Sequence, residues 1–442
     1  MNTVAFRGDD VPYSPPSTVS RGASGGGGLP RLLTGLSYSH HVDLAEHERC
    51  HGPMPAIGRR LIDVADASGL TGRGGAGFPA GRKMRSVAAR RGRKVVVANG
   101  SEGEPASSKD RLLLTRLPHL VLDGIVLAAT AIGADDAYLC VHEHETQLIA
   151  SLTAAVAQRR DPIQVKVSGI PGLYVSSEQS SIVAHLNGGP GKPTLSPPRP
   201  HEQGVRGLPT LVNNVETLAH LALIARYGDR WFRSAGVPTA PGSMLVTVSG
   251  TVRNPGIYEI EQGAPLGEVV MRAGGPAERI QSLLVGGYFG AWLPAETAWP
   301  VPMTHAALKA AGGTLGAGVV VALPESSCLI AETARVVRYL ADEGAGQCGP
   351  CVFGLPALAD AMSDLAFHGG RGRVLGQLAS LIPLVEGRGA CRHPDGVTQL
   401  IRSALRTAAT DARRHDTHGP CYGVRRGPLL PVPADGLPGD EA

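Results

Sequence analysis

The sequence predicts an α/β protein built in series: a region with a parallel sheet, then short strands and turns, then a helical bundle. Three observations predict it. Apolar strands at Lys94–Ala98, Ala137–Val141 and Val165–Val167 alternate with helical stretches at Leu117–Ile132 and Glu145–Gln158, which means a parallel sheet with helices outside it. From Met244 to Pro324 the strands shorten (Met244–Val248, Ile257–Ile260). Asn254-Pro255-Gly256 and the pairs Gly274-Gly275 and Gly286-Gly287 punctuate them, around a short helix at Leu266–Arg272. From Leu329 to about Arg414 helical periodicity dominates.

The 442 residues suit several domains, with expected boundaries at 1–30 (a Gly/Ser/Pro-rich disordered arm), 31–240, 241–325, 326–418 and 419–442 (a loose tail). A net charge of +4 is too small to argue for nucleic acid, and 4% aromatic residues supply few stacking platforms. The best apolar run, Gly124–Ala134, is a core-helix segment rather than a membrane span, and no charged-then-apolar leader pattern opens the chain. Seven cysteines at uneven spacing suit a metal site in a reducing compartment, so a cytoplasmic location is expected.

Ile57, Leu61, Val64 and Ala65 recur at helical spacing until Ser68-Gly69 ends the pattern. The stretch Gly72–Lys83 follows, with Gly72, Gly74, Gly75 and Gly77 in six positions and cations at Arg73, Arg82 and Lys83. Such a backbone can approach a ligand closely, and the charge suits a phosphate. It matches G-x-G-x-x-G, but the strand comes after it rather than before, so it is not the Rossmann fingerprint. Asn99, Glu102 and Glu104 fall beyond the carboxyl end of that strand, where ligands of open α/β sheets sit. Gly188–Pro209 reads as a binding loop, Val212 onward as a helix opening on paired asparagines, and Pro238–Gly242 as a boundary.

Five segments in order — the glycine loop, NGSEGEPASSKDR from Asn99, LPTLVNNVETLA from Leu208, SGTVRNPGIYEI from Ser249 and GQCGPC from Gly346 — resemble the FMN- and NADH-binding flavoprotein subunit of respiratory complex I. The same subunit type occurs in NAD-linked hydrogenases and formate dehydrogenases. The resemblance implies a Rossmann-like FMN domain, an SLBB-type β-grasp domain and a helical domain carrying an iron–sulfur site. It places Gly72, Arg73, Gly74 and Lys83 at FMN and dinucleotide phosphates, and Asn99, Glu102, Asn213, Asn214 and Thr217 around the flavin. It puts Glu104 and Phe78 at the nicotinamide portion. Ser101 stands where the family has an acid.

In the nicotinamide run, Ser177 replaces a glycine, Glu178 is kept, and Gln179 replaces an acid that lies near the adenosine ribose. Arg199 stands where the family has an aromatic. Losing a negative charge and gaining a guanidinium implies NADPH as an alternative to NADH.

The resemblance also implies a [4Fe–4S] cluster on Cys348, Cys351 and Cys391, with Ala345 at the position of the missing cysteine. A zinc site is the competing reading of these thiols. Cys421 or His393 are candidate replacement ligands, or the cluster is incomplete; Cys328 reads as a buried thiol. The implied activity is NAD(P)H oxidation through FMN, with single electrons passed to the cluster and a partner such as a ferredoxin or another iron–sulfur subunit. A degenerate scaffold and a ferredoxin-driven reductase running the path backwards are the alternatives.

Other patterns read as structural. His142-Glu143-His144-Glu145 is a solvated turn and cap, Cys140 a core thiol, and Lys109-Asp110-Arg111 a charged helix start for which structural pairing and a role near the flavin are equal readings. His40, His41 and Cys50 are incidental, and the basic run Arg85–Lys94 is a solvated face with the option of docking an acidic carrier.

Overall fold

The computed structural model describes residues 28–36 and 42–433. Most of the expected N-terminal arm, together with His40 and His41, lies outside the described residues.

Four parallel strands form the first sheet: β1 (Val95–Asn99), β2 (Asp136–His142), β3 (Val165–Ile170) and β4 (Thr210–Asn214), in the order β3-β2-β1-β4. The chain runs outward from β1 through β2 to β3, then returns to lay β4 on the other side of β1. That reversal makes a topological switch point between β1 and β4, where ligands of open α/β sheets bind. Asn99 and Asn214 end the two strands directly opposite each other. The paired asparagines therefore end a strand as well as opening a helix: Thr210–Asn214 is extended, and the helix Val215–Arg233 starts immediately after it rather than at Val212. Asn214 makes the change of direction, its side chain accepting from the Glu216 amide.

Helices cover this sheet. Leu61–Ser68 ends on Gly69 in the left-handed region (φ 74°). Pro118–Ile132 is buried at every residue but Thr130, and packs so closely on Val215–Arg233 that a Cβ at Gly124 would lie 2.0 Å from the Leu218 carbonyl oxygen. Among the described residues, no single helix is long and apolar enough to cross a membrane.

A two-residue ribbon, β5 (Gly236–Val237) with β6 (Ala240–Pro241), leads to the second sheet. Its strands are β7 (Ser243–Gly250), β8 (Gly256–Glu261), β9 (Ile280–Val285), β10 (Ala291–Pro294) and β11 (Val319–Pro324), in the order β10-β9-β11-β7-β8. Within it the β11–β7 pair is parallel and the other pairs are antiparallel. Leu266–Arg272 packs its Leu266, Val269 and Val270 into that sheet's own core.

The last region is helical: Leu329–Asp342, Leu355–Ser363, Val374–Val385, His393–Thr407 and Ala409–His418 surround a core that includes Leu340, Leu358, Met362, Leu378 and Leu400. The segment after His418 is docked through residue 433 rather than loose. The Leu429 and Leu430 amides donate to the buried Glu332 carboxylate at 3.0 and 2.9 Å, Leu430 is buried, and the Tyr288 hydroxyl donates to the Pro431 carbonyl. Composition cannot show this, because the anchor is one carboxylate about a hundred residues upstream.

Candidate functional site

The glycine loop lies across the switch point and touches both sheets. Gly72 donates to Phe78 O at 2.9 Å, and Gly75 pairs with Gly316 of the second region. Gly77 (φ 63°) leaves room for His305, whose Nε2 would lie 2.4 Å from a Cβ there. Gly74 faces Asn214, whose Cβ would lie 3.3 Å from one added to the glycine. Glycine is required at Gly77, by its positive φ and by the His305 ring, and at Gly75 by its φ of 101°.

The cations divide. Arg73 is buried beneath the loop, donating to Thr71 Oγ1 at 3.0 Å and Ser243 O at 2.9 Å beside Glu216, while its amide donates to Thr217 Oγ1 at 2.9 Å. Arg73 and Thr217 thus hold the loop from below. Lys83 reaches the crevice, donating to Val212 O at 2.5 Å and Gln179 Oε1 at 3.5 Å, with its pKa lowered by burial to about 8.

Behind the loop is a buried polar network. Asn214 Nδ2 donates to Asp110 Oδ2 at 2.6 Å, and Lys109 pairs with Asp110 at 2.6 Å and Glu216 at 3.0 Å. Burial works against the Lys109 charge, yet the carboxylates of Asp110 and Glu216 outweigh it and raise its pKa. Glu102 accepts from Ser107 Oγ and from the Asp110 and Arg111 amides, capping the helix Lys109–Arg116; burial, with Asp110 beside it, raises its pKa to about 7. Ser101, in place of an acid, donates to Asn99 Oδ1 at 2.7 Å, and Asn99 Nδ2 donates to Ser177 O at 2.8 Å. Asn213 differs from the others: its Nδ2 is buried without a partner.

Glu104 closes the crevice against the second region. Its carboxylate accepts from the Tyr288 amide at 2.7 Å and the Tyr174 hydroxyl at 3.1 Å, and burial raises its pKa to about 7. Gly287 (φ 85°) permits this approach, since a Cβ would lie 2.4 Å from Glu104 Oε2. Phe78 is half exposed under Arg82. Glu178 caps the helix Gln179–Leu186 at the Ser180 amide, 2.7 Å away. Arg199 is exposed, its amide held by Glu202 at 3.1 Å, and its loop is tied to that helix by Thr194 N donating to Ser180 Oγ at 3.0 Å. Lys83 with Gln179, and Asn99 with Ser177, form the inner wall; Arg199 stands on the outer loop.

Cys348, Cys351 and Cys391 are neighbours. Burial raises the Cys351 thiol to about 11, with Cys348 and Cys391 adding to the shift; Cys391 is raised by burial and then by Cys348. Ala345 is buried and offers no donor. His393 uses Nε2 on Leu340 O at 2.6 Å, which leaves Nδ1 buried without a partner, and burial lowers its pKa to about 4. Cys421 is placed elsewhere, with Cys328 and His415, so the structure does not support it as a cluster ligand. It sits on a tail that docks by Glu332, a joint that sequence distance conceals.

Three residues complete the arrangement, although their sequence patterns do not mark them as ligands. Tyr174 bonds Glu104 through its hydroxyl, donates its amide to Glu343 Oε2 at 2.7 Å, and packs its ring 5.8 Å from His393 and 4.8 Å from Phe289. Tyr288, after a Gly-Gly pair that ends a strand, and His305, which carries no sequence signal, are the others.

The remaining patterns resolve structurally. His142 is buried at the end of β2 rather than solvated, while Glu145 pairs with Arg111 at 2.5 Å. Arg85 pairs with Asp63 and Asp66, Arg90 with Glu202, and Arg93 with Asp136, so part of the basic run stands in surface ion pairs. Cys140 is a core thiol raised by burial to about 12.

Comparison with known proteins agrees with this geometry. Residues 65–223 match the Nuo51 FMN-binding domain family, 245–283 the SLBB domain, and 331–415 the NADH-ubiquinone oxidoreductase-F iron-sulfur binding region. The chain is 33% identical over 363 residues to the NADH-quinone oxidoreductase F 2 subunit of Rhizobium meliloti, covering 78% of this chain and 86% of that protein. It is 31% identical over 402 residues to the NADH-quinone oxidoreductase F subunit of Streptomyces coelicolor, covering 85% and 88%. An NAD+-reducing [NiFe]-hydrogenase in the air-oxidized state superposes with a TM-score of 0.78 at 31% identity, covering 88% of this chain and 67% of that one. The chain belongs to the family of NADH-quinone oxidoreductase F subunits, with an FMN-binding α/β domain, an SLBB domain and a helical iron–sulfur-binding region.

Proposed function

We propose that this protein is the nicotinamide-oxidising, electron-transfer subunit of a larger assembly, taking reducing equivalents at the β1–β4 crevice and delivering them to a partner beside Cys348. The observation that carries the reading is Tyr174. Its hydroxyl donates to Glu104 in the crevice, and its ring packs against His393, two residues from Cys391. The site for hydride and the site for iron therefore share one side chain.

The crevice fits FMN. Asn213 Nδ2 is a buried donor in want of an acceptor, Lys83 supplies a cation, and the loop glycines put no side chain between their backbone and a phosphate. Arg73 and Thr217 shape the loop from beneath, while Asn99, Glu102 and Asn214 hold the surrounding wall. When bound, FMN supplies the conversion between hydride and single-electron transfer. Phe78 offers a ring face to the nicotinamide, and Glu104 holds a proton to about neutral pH beside it.

Cys348, Cys351 and Cys391 would hold the cluster. The fit is incomplete at one iron, because Ala345 brings no sulfur; of the two replacement donors the sequence offers, His393 keeps an unpartnered ring nitrogen and Cys421 belongs to another group.

Gln179 beside Lys83 carries no charge to repel a 2′-phosphate, and Arg199 lies on the loop tied to the same helix. This supports use of NADPH alongside NADH. Val352 and Phe353, immediately after Cys351, are exposed at 46% and 76%. That apolar surface supports a carrier docking next to the cluster, a ferredoxin or another iron–sulfur subunit by its chemistry; the reverse direction would use the same path.

The test is anaerobic reconstitution with FMN, iron and sulfide, then addition of NADH or NADPH and an artificial one-electron acceptor. Flavin bleaching and acceptor reduction are expected. Protein that recovers flavin but is bleached by neither nucleotide is a scaffold, and a preference for NADH equal to or greater than that for NADPH removes the NADPH reading alone.

A further inference from the structure

The helical region carries a second group of soft donors, away from the cysteines of the cluster loop. Among the described residues, Cys328, His415 and Cys421 are the one group of three such side chains whose ligand atoms all lie within 4.8 Å of one another. Cys328 Sγ is 3.7 Å from His415 Nε2. A tetrahedral zinc ion, with Zn–S of about 2.3 Å and Zn–N of about 2.0–2.1 Å, sets sulfur and nitrogen roughly 3.5 Å apart. The pair already stands near ligand spacing.

The surroundings agree with coordination. His415 Nδ1 lies 3.1 Å from Leu365 O, a bond in which the ring donates and which leaves Nε2 carrying the lone pair toward the thiols. Cys328 and His415 are buried, and Cys421 is half-buried. The Cys421 amide also donates to Nε2 at 3.1 Å. An ion bound at Nε2 would take the place of that amide as the partner of the lone pair, and residues 419–421 lie outside helix and strand. The three donors come from three elements: Cys328 caps the helix Leu329–Asp342, His415 lies in Ala409–His418, and Cys421 is in the tail.

We propose that Cys328, His415 and Cys421 bind one thiophilic divalent cation of the zinc class, fastening the tail to the helix that leads into the cluster loop. Two thiolates and an imidazole select zinc-like ions over magnesium or calcium, with water as the fourth ligand. Binding releases the two thiol protons to solvent, and no electron is transferred. The site is independent of the flavin reading.

Zinc and iron are measured on the full-length protein purified under reducing conditions, and the zinc absorption edge reports its neighbours. One zinc per chain with two sulfurs and lighter atoms around it is expected. Cys421→Ser should lose the zinc and keep iron and flavin, whereas Cys391→Ala should lose iron and keep zinc. The proposal is overturned if reduced protein neither contains nor takes up zinc, or if the bound zinc lacks two sulfur neighbours. It is equally overturned if Cys421→Ser retains its zinc or loses iron instead, or if peptide mapping of the native protein finds Cys328 and Cys421 joined as a disulfide. The edge measurement needs no variant, so it decides even where the substitution disturbs folding.

Discussion

Glu104 and Lys83 show how burial sets the working charge of the crevice. Glu104 has its pKa raised to about 7, so the folded chain keeps a proton that the unfolded chain loses above about pH 4.5. Stability must therefore fall as pH rises between those values, by up to roughly 3 kcal/mol at about 1.4 kcal/mol per pKa unit. Glu104→Gln keeps an acceptor for the Tyr288 amide and removes the titration. Its urea midpoint should fall less between pH 5 and pH 8 than that of the parent; an unchanged slope would assign the effect to Glu102, which is also raised to about 7. Lys83 moves the other way, to about 8. If it binds the FMN phosphate, Lys83→Ala should weaken flavin binding about 10- to 100-fold, as expected for loss of a charge-assisted bond worth ~1.5–3 kcal/mol. FMN fluorescence titration of the apoprotein measures this. The parent's affinity should also decline as pH rises past about 8, where the ammonium is lost, and the variant's should not.

Elements were legible in the sequence where their pattern was local. The helix at Leu266–Arg272 and the stop at Gly69 rest on periodicity and on a single glycine, and both stand in the structure. β4 was hidden because Thr210–Asn214 becomes a strand only by pairing with β1, more than a hundred residues earlier. Docking of the tail was hidden for the same reason. Close helix contact was hidden too, although it has a measurable consequence. Ala is the better helix former by about 0.8–1.0 kcal/mol, so propensity alone would make Gly124→Ala stabilising. A Cβ there would strike the Leu218 carbonyl, so the substitution must push apart two heavily buried helices of the flavin domain. A net loss of about 1–3 kcal/mol, the usual cost of overpacking, is expected in denaturant unfolding. A gain in stability would show that the helices can separate without penalty.

At the scale of the whole molecule, the order of the motifs along the chain disclosed the three regions, but not where they meet. The crevice is closed by Tyr288 and His305 from the second region, and Tyr174 joins it to the helical one through Glu343 and His393. Such joints are made of single side chains at large sequence separation, which no periodicity reveals. They nevertheless predict a separable function. If electrons leave the crevice only by way of the thiols, Cys391→Ala should leave flavin content and its bleaching by reduced nicotinamide within about twofold of the parent, since the groups that shape the crevice are Lys83, Asn99, Glu104 and their partners rather than thiols. Reduction of a one-electron protein carrier should fall at least tenfold, together with the iron content. Stopped-flow bleaching and steady-state carrier reduction on the same preparation separate the two. Loss of bleaching in the variant would mean that the helical region holds the crevice in shape, and retained carrier reduction would mean that the carrier draws electrons at the crevice mouth beside the exposed Phe78.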